Sequence, residues 1–532
     1  MNYLKVGKAT ELQGKNRFYY RLLEMLPGFL SWSTLLILII LSYFQPIWVA
    51  YFIIAFDIYW LLLVLYLALH LIAAYKKLKH TKLQDWEKLS RELKADSKIV
   101  GEEYLVKNKD KAQYLYKEGV SWSDLTHLVV LPTCNESLEI IKTTVSAIYQ
   151  DSYPSQNMAI VLAIEERAGE KALARARQVA KEFGGAFKKF FISVHPDNIE
   201  GELKGKGANQ AWAIKDFKKQ IIDPQGWDYD KMVVSVFDID TVITRGYFFR
   251  LSYKFLTTPD PYYASYQPVP VYHNNIWQAP FFARIAATSN TFWQMMQQIR
   301  SESLATYSSH SMSFKALNDI GFWSTTMVSE DSRIFWHCLL YYKGRYRVEP
   351  LHFPVSMDAT MDENFLKTAK SLYKQQRRWA WGSENIPYLI FNTFKNWKSL
   401  DKKTMLFHIF VQLYGFHSWA TNALIIAVIG WMPLWLGGER FTSTVLSGNL
   451  PEITTLLMNL AMVGLILSAI ISTLLLPSPP FKIKKIKKLQ VVVEWIFIPV
   501  VIVLFGAIPA LEAQTRLLLG KYMGFWVTPK KR

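Results

Sequence analysis

A chain of 532 residues that is 51% hydrophobic and 15% aromatic carries a formal charge of +18, from 61 Lys and Arg against 43 Asp and Glu. That apolar load excludes a disordered polyelectrolyte, because the chain can bury enough surface to offset its ordering entropy. Two cysteines, Cys134 and Cys338, exclude a disulfide framework and fit a reducing setting. The charge suits either nucleic acid or an anionic membrane face, and the position of the apolar runs decides between them.

Leu30 to Phe44 is free of charge, Pro46 interrupts it, and Ile47 to Tyr75 is apolar apart from Asp57 and His70. A bilayer core takes about 20 apolar residues per helix, so the two runs predict a transmembrane hairpin with a very short turn. No small-residue cleavage site follows the first run, which excludes a signal peptide. Lys5, Lys8, Lys15, Arg17 and Arg21 precede the hairpin and Lys76, Lys77 and Lys79 follow it, so both ends are expected inside. No spanning run occurs between Lys76 and Lys403, and this stretch is expected in the cytoplasm. The membrane pattern resumes at Ala420–Leu436 and Thr454–Leu476, around an outer loop nearly free of Lys and Arg. The basic segment from Pro477 to Lys488 belongs inside. A last run, Leu489 to Leu511, contains Glu494, Pro499 and Pro509; it either spans fully or bends back and leaves the tail inside. The charge is therefore read as a membrane-facing surface, not a nucleic-acid site.

Residues 78–124 read as a polar helical linker. Leu128–Leu131 begins a series of short buried strands alternating with amphipathic helices: Ser137 opens a helix, Ala159–Ile164 is a strand, and KFFISVH and KMVVSVFD are further strands. Such alternation predicts a mostly parallel α/β sheet with ligands at the C-terminal strand ends. Those ends carry Asn135, Glu136, Glu165, Glu166, Asp238 and Asp240.

Several of these groups suggest chemistry. Carboxylates two apart, as in Asp238-Ile239-Asp240, can bracket Mg²⁺ or Mn²⁺ while Ile239 enters the core; an ordinary acidic loop is the alternative. Lys204, Lys206 and Asn209 lie where a helix begins and can neutralise a diphosphate, or form a surface turn. Ser329-Glu330-Asp331 reads from its residues as a helix cap with acids in the first turn. Arg378 can pair bidentately with a diphosphate and Trp379 offers a flat face to a sugar ring, or the segment is an interfacial basic-aromatic helix with Arg377 and Trp381 at the bilayer surface. Asp57, inside the second apolar run, either lines an acceptor path or bonds a neighbouring helix.

Taken in order, PTCNES, EE, KGKGANQA, DID, SED and QQRRW resemble a membrane-embedded family 2 glycosyltransferase with a GT-A fold, such as the cellulose and hyaluronan synthases. The resemblance runs from about Leu128 to Trp379. It implies that Asp238 lies near the nucleoside ribose, that Asp240 holds the metal, and that Asp331 is the general base of an inverting transfer. Glu136, Glu165, Lys204, Gln375, Arg378 and Trp379 then contribute to donor binding, with Glu165-Glu166 standing where the family commonly has aspartates. Phe525 to Lys530 matches the FxVTxK gating element of cellulose synthases, in which Thr528 and Lys530 would close over nucleotide, although here it stands at the extreme C-terminus.

The expected organisation is a tail and hairpin (1–77), the linker (78–124), a cytoplasmic catalytic domain (125–385), interfacial helices (386–418), a C-terminal membrane region (419–511) and the tail (512–532). The expected function is transfer of a sugar from a nucleotide sugar, by resemblance a UDP-sugar, to a polysaccharide or lipid acceptor at the cytoplasmic face of a bacterial-type inner membrane. The alternatives are an enzyme that glycosylates one lipid carrier without processivity, and a nucleotide- or polysaccharide-binding sensor lacking activity.

Overall fold

The structure is a computed structural model that describes residues 3–97, 113–478 and 490–529. Part of the linker, the basic segment after Pro477 and Ser478, and Lys530 lie outside the described residues.

Helix α1 (Gly14–Phe44) and helix α2 (Pro46–Leu83) are joined by Gln45 alone. Pro46 is tolerated there because it occupies the first turn of α2, where a backbone N–H has no helical partner. Both helices are longer than their apolar runs, and both are long and apolar enough to cross a membrane. The stretch before α1 is bound to the globular domain. Val6, Ala9 and Leu12 are buried in its core, and Arg333 and Tyr388 donate to the carbonyls of Val6 and Leu4.

The domain is built on one eight-stranded sheet. Its strands are β1 (Thr126–Thr133), β2 (Met158–Glu165), β3 (Lys189–His195), β4 (Met232–Val236), β5 (Val242–Ile243), β6 (Ala264–Val271), β7 (Ser311–Ser313) and β8 (Arg347–Ser356), in the spatial order β3-β2-β1-β4-β7-β6-β8-β5. The β1–β2, β2–β3, β1–β4 and β6–β8 pairings are parallel, and β7 runs antiparallel between β4 and β6. Side chains alternate across the pleat. Leu128 and Val130 therefore enter one core and Val129 and Leu131 the other. Register sets the functional edge: Thr133 lies beside Ile164, and Glu165 is level with His195.

The helices that frame this edge are α3 (Leu138–Tyr149), α4 (Lys206–Phe217), α5 (Phe281–Ile299), α6 (Glu330–Tyr341), α7 (Phe365–Ala380) and α8 (Asn385–Lys395). Helix α8 falls where interfacial helices were expected, yet Tyr388, Leu389 and Phe391 are buried in the domain core.

After it comes α9 (Lys402–Ala427), bent by 44° against the short helical stretch Ile429–Leu436. The expected span began only at Ala420 because His408, Gln412 and His417 interrupt the apolar run; the helix itself starts 18 residues earlier, at Lys402. Helices α10 (Val445–Leu475) and α11 (Gln490–Leu518) are again long and apolar enough to span. Among the described residues, four helices meet that description, or five if the bent pair is one span. Glu494 in α11 is explained by a buried bidentate pair with Arg284 of α5, at 2.8 and 3.1 Å. Asp57 is 2% exposed and faces Thr454 of α10. Helix α11 then returns the chain to the domain, lying against α1 so closely that a Cβ on Gly28 would meet the Gln514 carbonyl oxygen at 2.6 Å.

Candidate active site

The acidic turn after β4 is held from three sides. Ile239 is 1% exposed, and the Thr144 hydroxyl of α3 donates to its carbonyl at 2.6 Å, so the two flanking carboxylates emerge at the sheet edge. Asp238 accepts from the Ser308 hydroxyl at 2.8 Å, and its other oxygen lies 2.7 Å from the ammonium of Lys206. Asp240 is buried and accepts from the backbone N–H of Asp358, just beyond β8, at 3.1 Å. Asn274 ties this pair together, donating to the Asp240 carbonyl and the Asp358 carboxylate at 2.8 Å each.

Lys206 is the first residue of α4, and there it faces the N-terminus of α6. Its ammonium lies 2.8 and 3.0 Å from the two carboxylate oxygens of Asp331 and 4.0 Å from Glu330. Burial opposes a charged lysine, but Asp238, Asp331 and Glu330 outweigh it and hold Lys206 protonated well beyond the usual range. Glu330 is pushed up to about 8, first by burial and then by the Asp331 charge, with Lys206 acting against both. Three motifs spread over 125 residues of the chain thus meet on one ammonium.

Ser329 stands at the N-cap of α6 but does not cap it. Its backbone N–H and hydroxyl both donate to one oxygen of Glu384, at 3.0 and 2.6 Å. The other Glu384 oxygen accepts from the Trp381 indole at 2.8 Å. Trp381 is 1% exposed, so it belongs to the interior and not to a bilayer surface. Arg377 is partly exposed and pairs with Glu512 of α11 at 2.6 Å.

The other expected donor residues divide. Glu165 is buried and paired with Arg167 at 2.5 Å, in a recess also lined by Glu166, His195, Asn198 and Lys204. Lys204 is half-exposed there, bonded to Asp197 at 2.7 Å and to Asn198 at 2.8 Å, so the central cation of the loop is Lys206. Asn209 donates to the Ala163 carbonyl at 2.9 Å and buttresses β2 instead of facing the site. Glu136 folds back on the end of β1, accepting from the Thr133 hydroxyl and the Cys134 N–H at 2.8 Å each. On α7, Gln375 accepts from Thr360 at 2.7 Å, and Trp379 is partly buried against the cluster around Tyr272 and Trp277.

From Lys521 to Pro529 the chain has no regular structure and crosses the loop before α4. A Cβ on Gly205 would meet the Phe525 ring at 2.6 Å, so only glycine allows this approach. The guanidinium of Arg378 lies 5.0 Å from the centre of the same ring, and its Nε is buried without a hydrogen-bond partner. Thr528 is 9% exposed with an unpartnered hydroxyl. Ser308, Asp358 and Glu384 gave no sequence signal, because each reaches the site only through tertiary contacts.

A mostly parallel sheet with an acidic turn, a buried cation and a helix-borne carboxylate at its C-terminal edge defines a glycosyltransferase with a GT-A domain. The family model described as glycosyl transferase family group 2 matches residues 233–507, more than half of the chain, and the chain belongs to that family. No curated protein matches it. Among solved structures, the mannosyltransferase PcManGT from Pyrobaculum calidifontis, in complex with GDP-Man and Mn²⁺, is 13% identical with a TM-score of 0.39, covering 75% of this chain and 99% of its own. S. aureus TarS 1–349 is 10% identical with a TM-score of 0.33, covering 65% and 90%. The same TarS fragment in complex with UDP is 11% identical with a TM-score of 0.34, over the same shares.

Proposed function

We propose that the protein transfers a sugar from a UDP-sugar to a polysaccharide or lipid acceptor, with inversion, at the cytoplasmic face of the membrane. The observation that carries this reading is the convergence of Asp238, Asp331 and Glu330 on Lys206. A diphosphate competes for that ammonium and frees Asp331 to take the acceptor hydroxyl proton. The acceptor oxygen then attacks the anomeric carbon, the carbon–oxygen bond to the diphosphate breaks, and the electron pair leaves with the nucleoside diphosphate. A single displacement of this kind inverts the anomeric centre. Arg378 pairs with the diphosphate, Gln375 and Trp379 border the donor sugar, and the recess at Glu165 takes the base.

The donor set suits Mg²⁺ or Mn²⁺. Such an ion usually takes one or two carboxylates together with substrate phosphates, and Asp240, fixed by the Asp358 N–H beside Asp238, offers that arrangement. When bound, the ion would neutralise charge on the departing diphosphate.

The described residues hold only four or five helices long and apolar enough to span, which favours single transfer to a lipid carrier as the second reading. Incubating the purified protein with labelled nucleotide sugars tests the main claim and product length separates the two versions. Nucleotide binding without turnover of any donor would point to a sensor instead. Orientation is tested by thiol labelling. Cysteine at Val445, 81% exposed, should label from outside, and cysteine at Gln220 of the domain only after the cytoplasmic side is opened.

A further inference from the structure

The two ends of the chain meet on one buried carboxylate. Glu24 of α1 is 1% exposed and accepts three hydrogen bonds: from the Ala9 N–H at 2.9 Å, from Arg21 at 3.0 Å and from the Tyr522 hydroxyl at 2.7 Å. Arg21 also donates to the carbonyls of Leu517 and Leu518, at 2.8 and 2.5 Å, and so closes the C-terminal end of α11. One side of this junction holds the N-terminal stretch, whose Val6 carbonyl accepts from Arg333, two residues beyond Asp331. The other side holds Tyr522, three residues before the ring that lies between Gly205 and Arg378.

We propose that Glu24 is a positioning residue for donor binding, acting through Tyr522 to hold the C-terminal segment over the donor loop. The segment from Lys521 to Thr528 forms no helix or strand that would define its own path. Its placement therefore depends on contacts at fixed points. Anchoring Tyr522 confines Phe525 and Thr528 to a small volume around the site, which raises their effective concentration there. In this chain the anchor comes from the first membrane helix. That the covered site is a donor site rests on the function proposed above.

The test is a double-mutant cycle in the full-length protein, using Tyr522→Phe, Glu24→Gln and the pair. Each single change should raise the donor concentration at half-saturation by about 10- to 100-fold, the range a hydrogen bond to a charged acceptor is worth, with kcat nearly unchanged. The double variant should match the stronger single one, since both remove the same link. Additive losses, or a fall in kcat with half-saturation unchanged, would overturn the proposal.

A second measurement does not depend on the reaction. With cysteine at Thr528, and the native Cys134 and Cys338 both buried, Tyr522→Phe should speed thiol labelling, and saturating UDP with Mg²⁺ should slow it again. Labelling that Tyr522→Phe leaves unchanged would refute the anchor even if Glu24→Gln fails to fold. Faster labelling without an effect of UDP or any sugar nucleotide would uphold the anchor and refute the donor-site reading.

Discussion

The ammonium of Lys206 lies 2.8 Å from the carboxylate of Asp331, although 125 residues separate them in the chain. In the proposed mechanism this contact places the expected base under the control of a cation for which the diphosphate competes. Lys206→Met should raise the dissociation constant for UDP by about tenfold or more, as loss of a charge-assisted hydrogen bond implies. It should also lower the melting temperature, because three carboxylates lose their shared partner. Titration calorimetry with UDP and a thermal melt check both effects.

Asp331 and Arg378 are expected to separate kinetically. Loss of a general base commonly costs about 10²- to 10⁴-fold in rate, so Asp331→Asn should depress kcat steeply while leaving UDP affinity nearly intact. Arg378→Ala should weaken UDP binding as well as slow transfer. Initial rates and titrations on one preparation decide this, and the opposite pattern would reverse the two assignments.

The metal assignment rests on Asp240. Asp240→Asn should abolish activation by Mg²⁺ or Mn²⁺ while leaving the protein folded, since an amide oxygen can still accept from the Asp358 N–H. Metal titration of activity is the check, and full wild-type turnover in chelator would remove the metal from the scheme.

Glu330 gives a pH dependence with a definite sign. Burial and the Asp331 charge push it from an ordinary 4.5 up to about 8, so between those values the folded chain holds a proton that the unfolded chain has released. Its contribution to stability is complete below about pH 4.5 and is lost as pH rises through about 8. Glu330→Gln, which cannot ionise, should flatten this part of the curve. Melting temperature measured from pH 5 to pH 9 tests it.

The Arg284–Glu494 pair should behave as a buried ion pair does. Arg284→Ala leaves a carboxylate unpaired inside α11 and should cost about 3–5 kcal/mol, whereas Arg284→Met with Glu494→Leu should recover most of that loss. Unfolding in detergent compares the two.

The sequence disclosed much of this because its signals are local. Alternating apolar strands, acids at their C-terminal ends and two unbroken apolar runs each report on a few neighbouring residues. What stayed hidden depends on direction. Lys204 and Lys206 are two residues apart in one Gly-rich loop and are equivalent by composition. Only the start of α4 at Lys206 turns one toward Asp238 and leaves the other beside Asp197. Ser329 looks like a helix cap until Glu384, 55 residues later, takes its hydroxyl. Trp381 resembles an interfacial aromatic until the same carboxylate binds its indole inside the core. The span at α9 was displaced because polar residues on a helix packed against protein read, in one dimension, as loss of the membrane pattern.

The junction at Glu24 also bears on how the enzyme comes into being. Ribosomes deliver residues in order, and domains generally fold as their chain emerges. Here the stretch that fills the core at Val6, Ala9 and Leu12 is made before the sheet, and the stretch carrying Phe525 is made after it. A nascent chain that has completed its sheet and even its QQRRW helix still lacks the cover over the donor loop. On the proposed function, donor capture therefore waits until the chain has been made through Phe525, after all the described helices long and apolar enough to span.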